Sequence, residues 1–263
     1  MIRALKLAFF GLLACSSLAW PQRPSDAEAA AMIGTTRQKA IDYTRSLPDF
    51  VCTEIVRRFS YTVRSRTDWS PTDKLTIKLS YFEQKEDHKL MLIDDKPTDK
   101  SFESLQGAIG MGEFGAMLRS IFDPALHTAF RWESSKTVRK HRVAVYAYTV
   151  SAATSQYLMV TGSPGHIHQA IVGYHGLLDI DSETSEVIHF TYQADGIPKE
   201  LGLDFALTTV DYDFADVGGR DYLLPARSET EMRSPRLSVR NQMQFRDYRK
   251  FSADSSITFD PGK

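Results

Sequence analysis

Residues 50–63, FVCTEIVRRFSYTV, decide the fold class of this chain. Val51, Thr53, Ile55, Phe59, Tyr61 and Val63 share one parity, and Glu54, Arg58 and Thr62 the other. A period of two belongs to a strand rather than a helix. Leu75, Ile77, Leu79 and Tyr81 repeat it, and Leu90 to Ile93 follow a polar EQKED turn. Upstream the period is different. Ser25-Asp26-Ala27-Glu28 reads as a capping box, in which the serine hydroxyl accepts from the amide three residues on while the glutamate reaches back. Ile33, Ala40, Ile41, Thr44 and Leu47 then recur at helical spacing until Pro48 stops the helix near Ser46. Its apolar stripe is modest, enough to cover one side of a sheet.

Downstream, GEFGAMLRSIFDP carries a second, shorter helix over 112–122. Phe114, Met117, Leu118, Ile121 and Phe122 fall on one face, and Asp123-Pro124 ends the run. The preceding GAIGMG at 107–112 is glycine-rich but lacks the Lys-Ser/Thr and strand context of a phosphate loop. Beyond it the chain reads as strands near 130–139, 142–150, 156–161, 167–180, 186–194, 205–216, 221–232 and 238–251. Polar turns such as 181–185 and 218–221 join them, so successive strands are expected to be antiparallel neighbours. The last segment, rich in Arg246, Arg249, Lys250 and aromatics, reads as a partly exposed edge strand whose cations deter edge pairing. No repeat or low-complexity linker divides residues 25–260, which are read as one β-rich domain.

The first nineteen residues, MIRALKLAFFGLLACSSLA, bear on location. Arg3 and Lys6 precede an uncharged run from Leu7 to Ala14, and Ser17-Leu18-Ala19 ends in a small-x-small cleavage pattern. The run is far shorter than the roughly 20 residues that span a bilayer. Leu12-Leu13-Ala14-Cys15 also reads as a lipobox, which would make Cys15 a lipidated membrane anchor. Both routes export the protein, to the periplasm, the outer membrane or the medium, and only one of them can be used.

Composition narrows the partners. With Lys+Arg 32 against Asp+Glu 33, a net charge of -1 argues against a nucleic-acid partner, which would want a strongly basic face. Cys52 is the only thiol outside the leader and reads as a small packed hydrophobe.

The hairpin GLLDIDSETSEVIHFTY, residues 176–192, resembles those of bacterial lipoprotein-sorting and lipoprotein-carrier proteins. The order of one helix, strands, an inserted apolar helix and a long meander is similar to that family too. The resemblance implies a mainly β (α+β) fold: a curved antiparallel sheet or incomplete β-barrel, with the N-terminal and inserted helices on its open side. It implies an apolar cavity rather than catalytic residues. The whole mature chain is also similar to a group of uncharacterised exported bacterial proteins carrying segments such as SLPDFVCTE, GEFG, FRW, GGRDYLLP and FRDYRKFSADS, which brings no activity with it.

Chemical constellations are few. His166 and His168 sit two apart on a strand, with His175 and His189 nearby, as in many metal sites, but no carboxylate lies between Gln169 and Tyr174. Asp179, Asp181 and Glu183 lack the glycine and distant glutamate of a calcium loop. Glu229 and Glu231, with Arg227 and Arg233, read as a solvated row of alternating charge. No G-x-S-x-G elbow or H-E-x-x-H helix occurs. No cofactor is implied.

Three function classes stand. The first is a non-catalytic envelope protein holding acyl chains or a lipidated partner in an apolar groove, gated by Phe114, Met117, Leu118, Ile121 and Phe122. The second is a structural or protein-interaction module without a small ligand, and the third an enzyme of unknown class. The oligomeric state is not readable.

Overall fold

The computed structural model describes residues 23–62, 69–105, 113–163 and 166–251. The leader with Cys15, Val63, the glycine-rich 107–112 stretch and the tip of the 163–165 turn lie outside them, as do residues 252–263. The expected class is borne out: a large open antiparallel sheet with an N-terminal helix and a short inserted helix.

Helix α1 (Asp26–Ser46) starts at the Ser25 capping box. The Ser25 amide donates to Glu28 at 2.8 Å and the Glu28 amide to the Ser25 hydroxyl at 3.3 Å. Strands β1 (Phe50–Thr62), β2 (Ser70–Phe82), β3 (Lys85–Ile93) and the two-residue β4 (Lys96–Pro97) follow. After α2 (Ala116–Phe122) come β5 (Ala129–Val138), β6 (His141–Val150) and a separate hairpin of β7 (Leu158–Ser163) and β8 (His166–Ile171). The chain ends with β9 (Gly173–Asp181), β10 (Val187–Asp195), β11 (Phe205–Asp216), β12 (Asp221–Arg233) and β13 (Leu237–Lys250).

Eleven strands form one sheet in the order β4-β3-β2-β1-β13-β12-β11-β10-β9-β6-β5. Three expectations are corrected here. Strand β13 is not an edge: it pairs with both β1, from Phe50↔Lys250 to Thr62↔Leu237, and β12. The run read as one strand over 167–180 breaks at Val172, so β7–β8 is an excursion and β6 pairs with β9 rather than its sequence neighbour. The EQKED segment turns only at Glu83 and Gln84, both at positive φ, so Glu86 and Asp87 already belong to β3. That tight two-residue hairpin suits the sheet's twist even without glycine.

Register shifts at Val51/Thr53, Arg58/Phe59, Thr76/Ile77, Trp132/Ser134, Val187/His189 and Asp211/Tyr212 bend the strands. Both helices contribute to the apolar packing of the sheet. Ile33 and Ala40 of α1, and Leu118, Ile121 and Phe122 of α2, pack with Tyr146, Tyr148, Tyr174, Leu178, Phe190 and Tyr212. A second core joins Phe50, Cys52, Val56, Ile77, Leu79, Tyr81 and Phe245 under Phe114.

The parity of β1 also needs correction. Val51, Thr53 and Ile55 are buried, but the residues in the second core are Phe50, Cys52 and Val56 of the opposite face. Arg246, Arg249 and Lys78 stand opposite Val51's face across the neighbouring strands, and their aliphatic stems can cover it. Cys52 is fully buried as expected, its thiol pushed well up by burial.

Gly115 caps α2 at φ 100, and a Cβ there would lie 2.4 Å from the Tyr43 ring. Only glycine permits this approach of the two helices. Leu118, 4% exposed, belongs to the same core, against which Tyr43 packs. Replacing Leu118 by Ala is expected to cost about 2–5 kcal/mol in urea unfolding. A loss below about 0.5 kcal/mol, the ordinary range for a surface change, would contradict the packed placement of α2.

Candidate functional site

Two features stand out: a groove beside α1, and a group of buried acids in the second core. The groove, about 330 Å³, lies between α1 and the ends of β10, β11 and β12. Ala40, Tyr43, Leu47, Leu118, Val187, Tyr212, Phe214 and Leu223 give it apolar walls, and Gln38, Lys39, Asp42, Glu186 and Asp221 a polar rim. Its position follows from α1, whose Tyr43 reaches across to the sheet. The Tyr43 hydroxyl donates to the Leu223 carbonyl at 2.8 Å, and its ring meets Tyr212 edge-on at 5.9 Å. Burial pushes both phenols well above their ordinary range, so they remain neutral donors. Lys39 and Glu186, 3.6 Å apart, tie α1 to the β9–β10 turn. Phe214, 60% exposed, forms the lip.

A second depression of about 340 Å³ shares Tyr212, Phe214 and Leu223 with the first. Its rim is charge-paired: Lys136 with Asp179 at 2.6 Å, His141 with Asp181 at 3.2 Å, and His189 with Asp211 at 2.7 Å. The His189 hydrogen bond holds Asp211 below the usual carboxylate range. For Asp181 burial raises the pKa, but amide hydrogen bonds from Thr184 and Glu183, with His141, outweigh it and bring it down. The two depressions therefore share the walls of Tyr212, Phe214 and Leu223.

The expected gate residues are placed unevenly. Phe114, Leu118, Ile121 and Phe122 of the α2 region are buried, and Met117 is half-buried against the first core. Of these, only Leu118 lines the groove. Phe114 instead roofs the second core, against the rings of Phe50, Tyr81 and Phe245. His166 and His168 are exposed on β8, while His175 pairs with Asp195 at 2.8 Å. Among the described residues no three His, Cys, Asp or Glu side chains are grouped as a metal ion would need. The Asp181 carboxylate serves the turn by accepting from the Glu183 and Thr184 amides. Glu231 is buried between Arg233 and Arg240 rather than solvated.

The acid group was not legible in sequence. Glu54 of β1, Glu86 of β3 and Glu113 before α2 lie near one another, Glu54 and Glu113 buried and Glu86 half-buried, with His88 Nε2 3.8 Å from Glu54 and 3.9 Å from Glu86. Glu113 accepts from the Ser228 hydroxyl at 3.2 Å, and its carbonyl from Tyr212 at 2.6 Å. Phe102 stacks on the His88 ring at 5.0 Å. Burial first, then the neighbouring acids, raises Glu54 to about 8. The same causes, with Glu113 as the neighbour, raise Glu86 to about 7. Glu113 is raised as well, by burial against the opposing hydrogen bonds. Glu86 was hidden because it was assigned to a turn; Glu54 because it was assigned to the polar face. The available signal was a glutamate of the same parity as Phe50, Cys52 and Val56.

No protein-family model and no curated protein sequence matches this chain. Among solved structures it is similar to a LolA superfamily protein from Nitrosomonas europaea, at 10% identity and TM-score 0.44, covering 84% of this chain and 94% of that one. It is also similar to a domain described as that of an outer membrane lipoprotein-sorting protein from Vibrio parahaemolyticus, at 11% identity and TM-score 0.36, covering 88% and 95%. A third is the Mycobacterium tuberculosis lipoprotein LppX, at 10% identity and TM-score 0.30, covering 90% and 100%. The functional reading below rests on this chain's own geometry.

The acids set a pH dependence. Glu54 and Glu86 hold protons in the fold at pH values where the unfolded chain, near its ordinary 4.5, has lost them. The unfolded state therefore binds fewer protons, and stability falls as pH rises from about 4.5 to about 8. The melting midpoint is expected to drop across that window. Glu54→Gln should flatten the drop and, near pH 8, exceed the native chain by on the order of a few kcal/mol. Parallel profiles for the two proteins would contradict the assignment.

Proposed function

We propose that this chain is an exported, non-catalytic binding protein of the cell envelope. It takes an acyl chain, free or attached to a polypeptide, in the groove between α1 and β10–β12. The single observation behind this reading is the groove itself. It is a groove of about 330 Å³ with aromatic and aliphatic walls, sharing Tyr212, Phe214 and Leu223 with a second depression. That size is at the small end of the roughly 300–1,000 Å³ typical of small-molecule sites. One acyl tail is a fitting occupant: it needs apolar walls and gains little from directed hydrogen bonds. The rim carries Lys39 and Lys136 for an anionic head, each already sharing a carboxylate. The export reading rests on the leader, with cleavage after Ala19 and lipidation at Cys15 as its two routes.

The helices divide the lid idea. Helix α2 is a permanent plug in this proposal, since its apolar side chains are spent on the core. Access to the groove falls to the exposed Phe214 lip. A second reading, a structural or interaction module of the envelope, draws on the same filled core. Titration with a fluorescent fatty acid separates the two. Saturable binding is expected, with Phe214→Glu weakening it about tenfold, equivalent to about 1.4 kcal/mol, and leaving the melting curve unchanged. No saturable binding by a folded protein would remove the carrier reading in favour of the module.

A further inference from the structure

The β7–β8 hairpin leaves the main sheet between β6 and β9 and presents two unlike faces. Its inner face is anchored. Met159 is buried with Val172, Ala194, Leu201 and Ala206, and the Thr161 hydroxyl donates to the Leu201 carbonyl at 2.9 Å. Its outer face carries Leu158, Val160, Ile167 and Ile171, which are 50%, 56%, 64% and 55% exposed, together with the uncharged Gln169 across from Val160. Leu158 stands across from Ile171, and Ile167 across from Gly162, so the four share one side of a two-stranded ribbon. They make up half of the exposed large hydrophobic side chains in the described residues, gathered in one place.

Charge is absent from the same region. Residues 143–178 contain no Asp, Glu, Lys or Arg, in a chain that is 25% charged. For β6 and β9 burial accounts for this. For the exposed hairpin it does not, because a solvated ribbon would normally carry charges on its outer face and edges.

We propose that the outer face of the β7–β8 hairpin seats the protein on the surface layer of a phospholipid bilayer. A bilayer is favoured over a protein partner by area. Four half-exposed aliphatic side chains make a patch of a few hundred Å², well short of the roughly 800 Å² per partner in a stable protein interface. A bilayer needs no matching contact surface, only apolar side chains and the absence of charges that would resist burial. The depth is limited: a two-stranded ribbon has unpaired backbone groups along both edges, which cannot enter the hydrocarbon core. The side chains dip while the backbone stays among the headgroups. This inference goes beyond the groove reading and does not depend on it.

Vesicle flotation tests it, using the exported protein carrying Cys15→Ser so that no acyl anchor contributes. Vesicles are phosphatidylcholine alone, or phosphatidylcholine and phosphatidylglycerol in equal parts. The protein is expected to float with both, since the face carries no formal charge. Val160→Glu with Ile167→Glu should lower the bound fraction at least tenfold. Val160→Ser with Ile167→Ser gives a milder loss that does not risk folding. Leu237→Glu, an exposed position elsewhere, and the groove variant Phe214→Glu should float as before. Failure to float with either vesicle, or unchanged flotation of the hairpin variants, overturns the proposal. So does a dimer in sedimentation that the hairpin variants dissociate, because the occupant is then a second copy.

Discussion

Everything in this molecule follows from the need to keep an apolar sheet face dry. An open sheet of eleven strands cannot close on itself, so other elements must cover its inner face. The chain supplies α1 and α2 and spends their apolar stripes on the sheet: Ile33 and Ala40 from one, Leu118, Ile121 and Phe122 from the other. Tyrosines do much of the remaining filling. Tyr43, Tyr148 and Tyr212 satisfy their hydroxyls on backbone carbonyls, which lets large rings be buried without unpaired polar atoms. The groove exists where α1 rides over the strand ends and the cover is incomplete.

The second constraint is the pairing of the chain's first strand with its last. Strand β1 lies against β13 in the interior of the sheet, so the two strands most distant in sequence are hydrogen-bonded neighbours. This places Glu54 between Ile77 and Phe245, deep in the second core. A carboxyl group there keeps its proton, and its neighbours Glu86 and Glu113 are held up by the same burial. The acids are a cost of the packing above about neutral pH, offset by the surrounding rings of Phe50, Tyr81, Phe114 and Phe245.

Local chemistry was legible in the sequence, and long-range pairing was not. The capping box at Ser25, the stop at Pro48 and strands such as 205–216 rest on period, caps and turns, and they appear where those signals put them; the helix before Asp123-Pro124 ends as expected but starts at Ala116 rather than 112, leaving Phe114 in the turn before it. Parity along β1 failed because both faces of its first half are buried, so alternation alone does not say which face meets the core. The β13 edge assignment failed because cations on a strand fit an edge or a covered outer face equally well. Phe114, Leu118, Ile121 and Phe122 are buried, the first in one core and the others in another, and apolar spacing cannot distinguish a fixed plug from a moving lid. The groove walls from β11 and β12 had no signal at all, since Phe214 and Leu223 look like ordinary members of alternating strands.

The groove and the hairpin give the molecule two apolar surfaces, to which the proposals above assign different occupants: an acyl chain for the first and a bilayer surface for the second. The central claim is that the helices are fixed cover and the ligand space lies at the rim beside α1. A crystal structure of the protein grown with a medium-chain fatty acid tests this most directly. The account predicts acyl density bounded by Tyr43, Leu118, Val187, Tyr212 and Leu223, with α1 and α2 in place. Density beneath a displaced α2, among Tyr146, Tyr174 and Leu178, would contradict it.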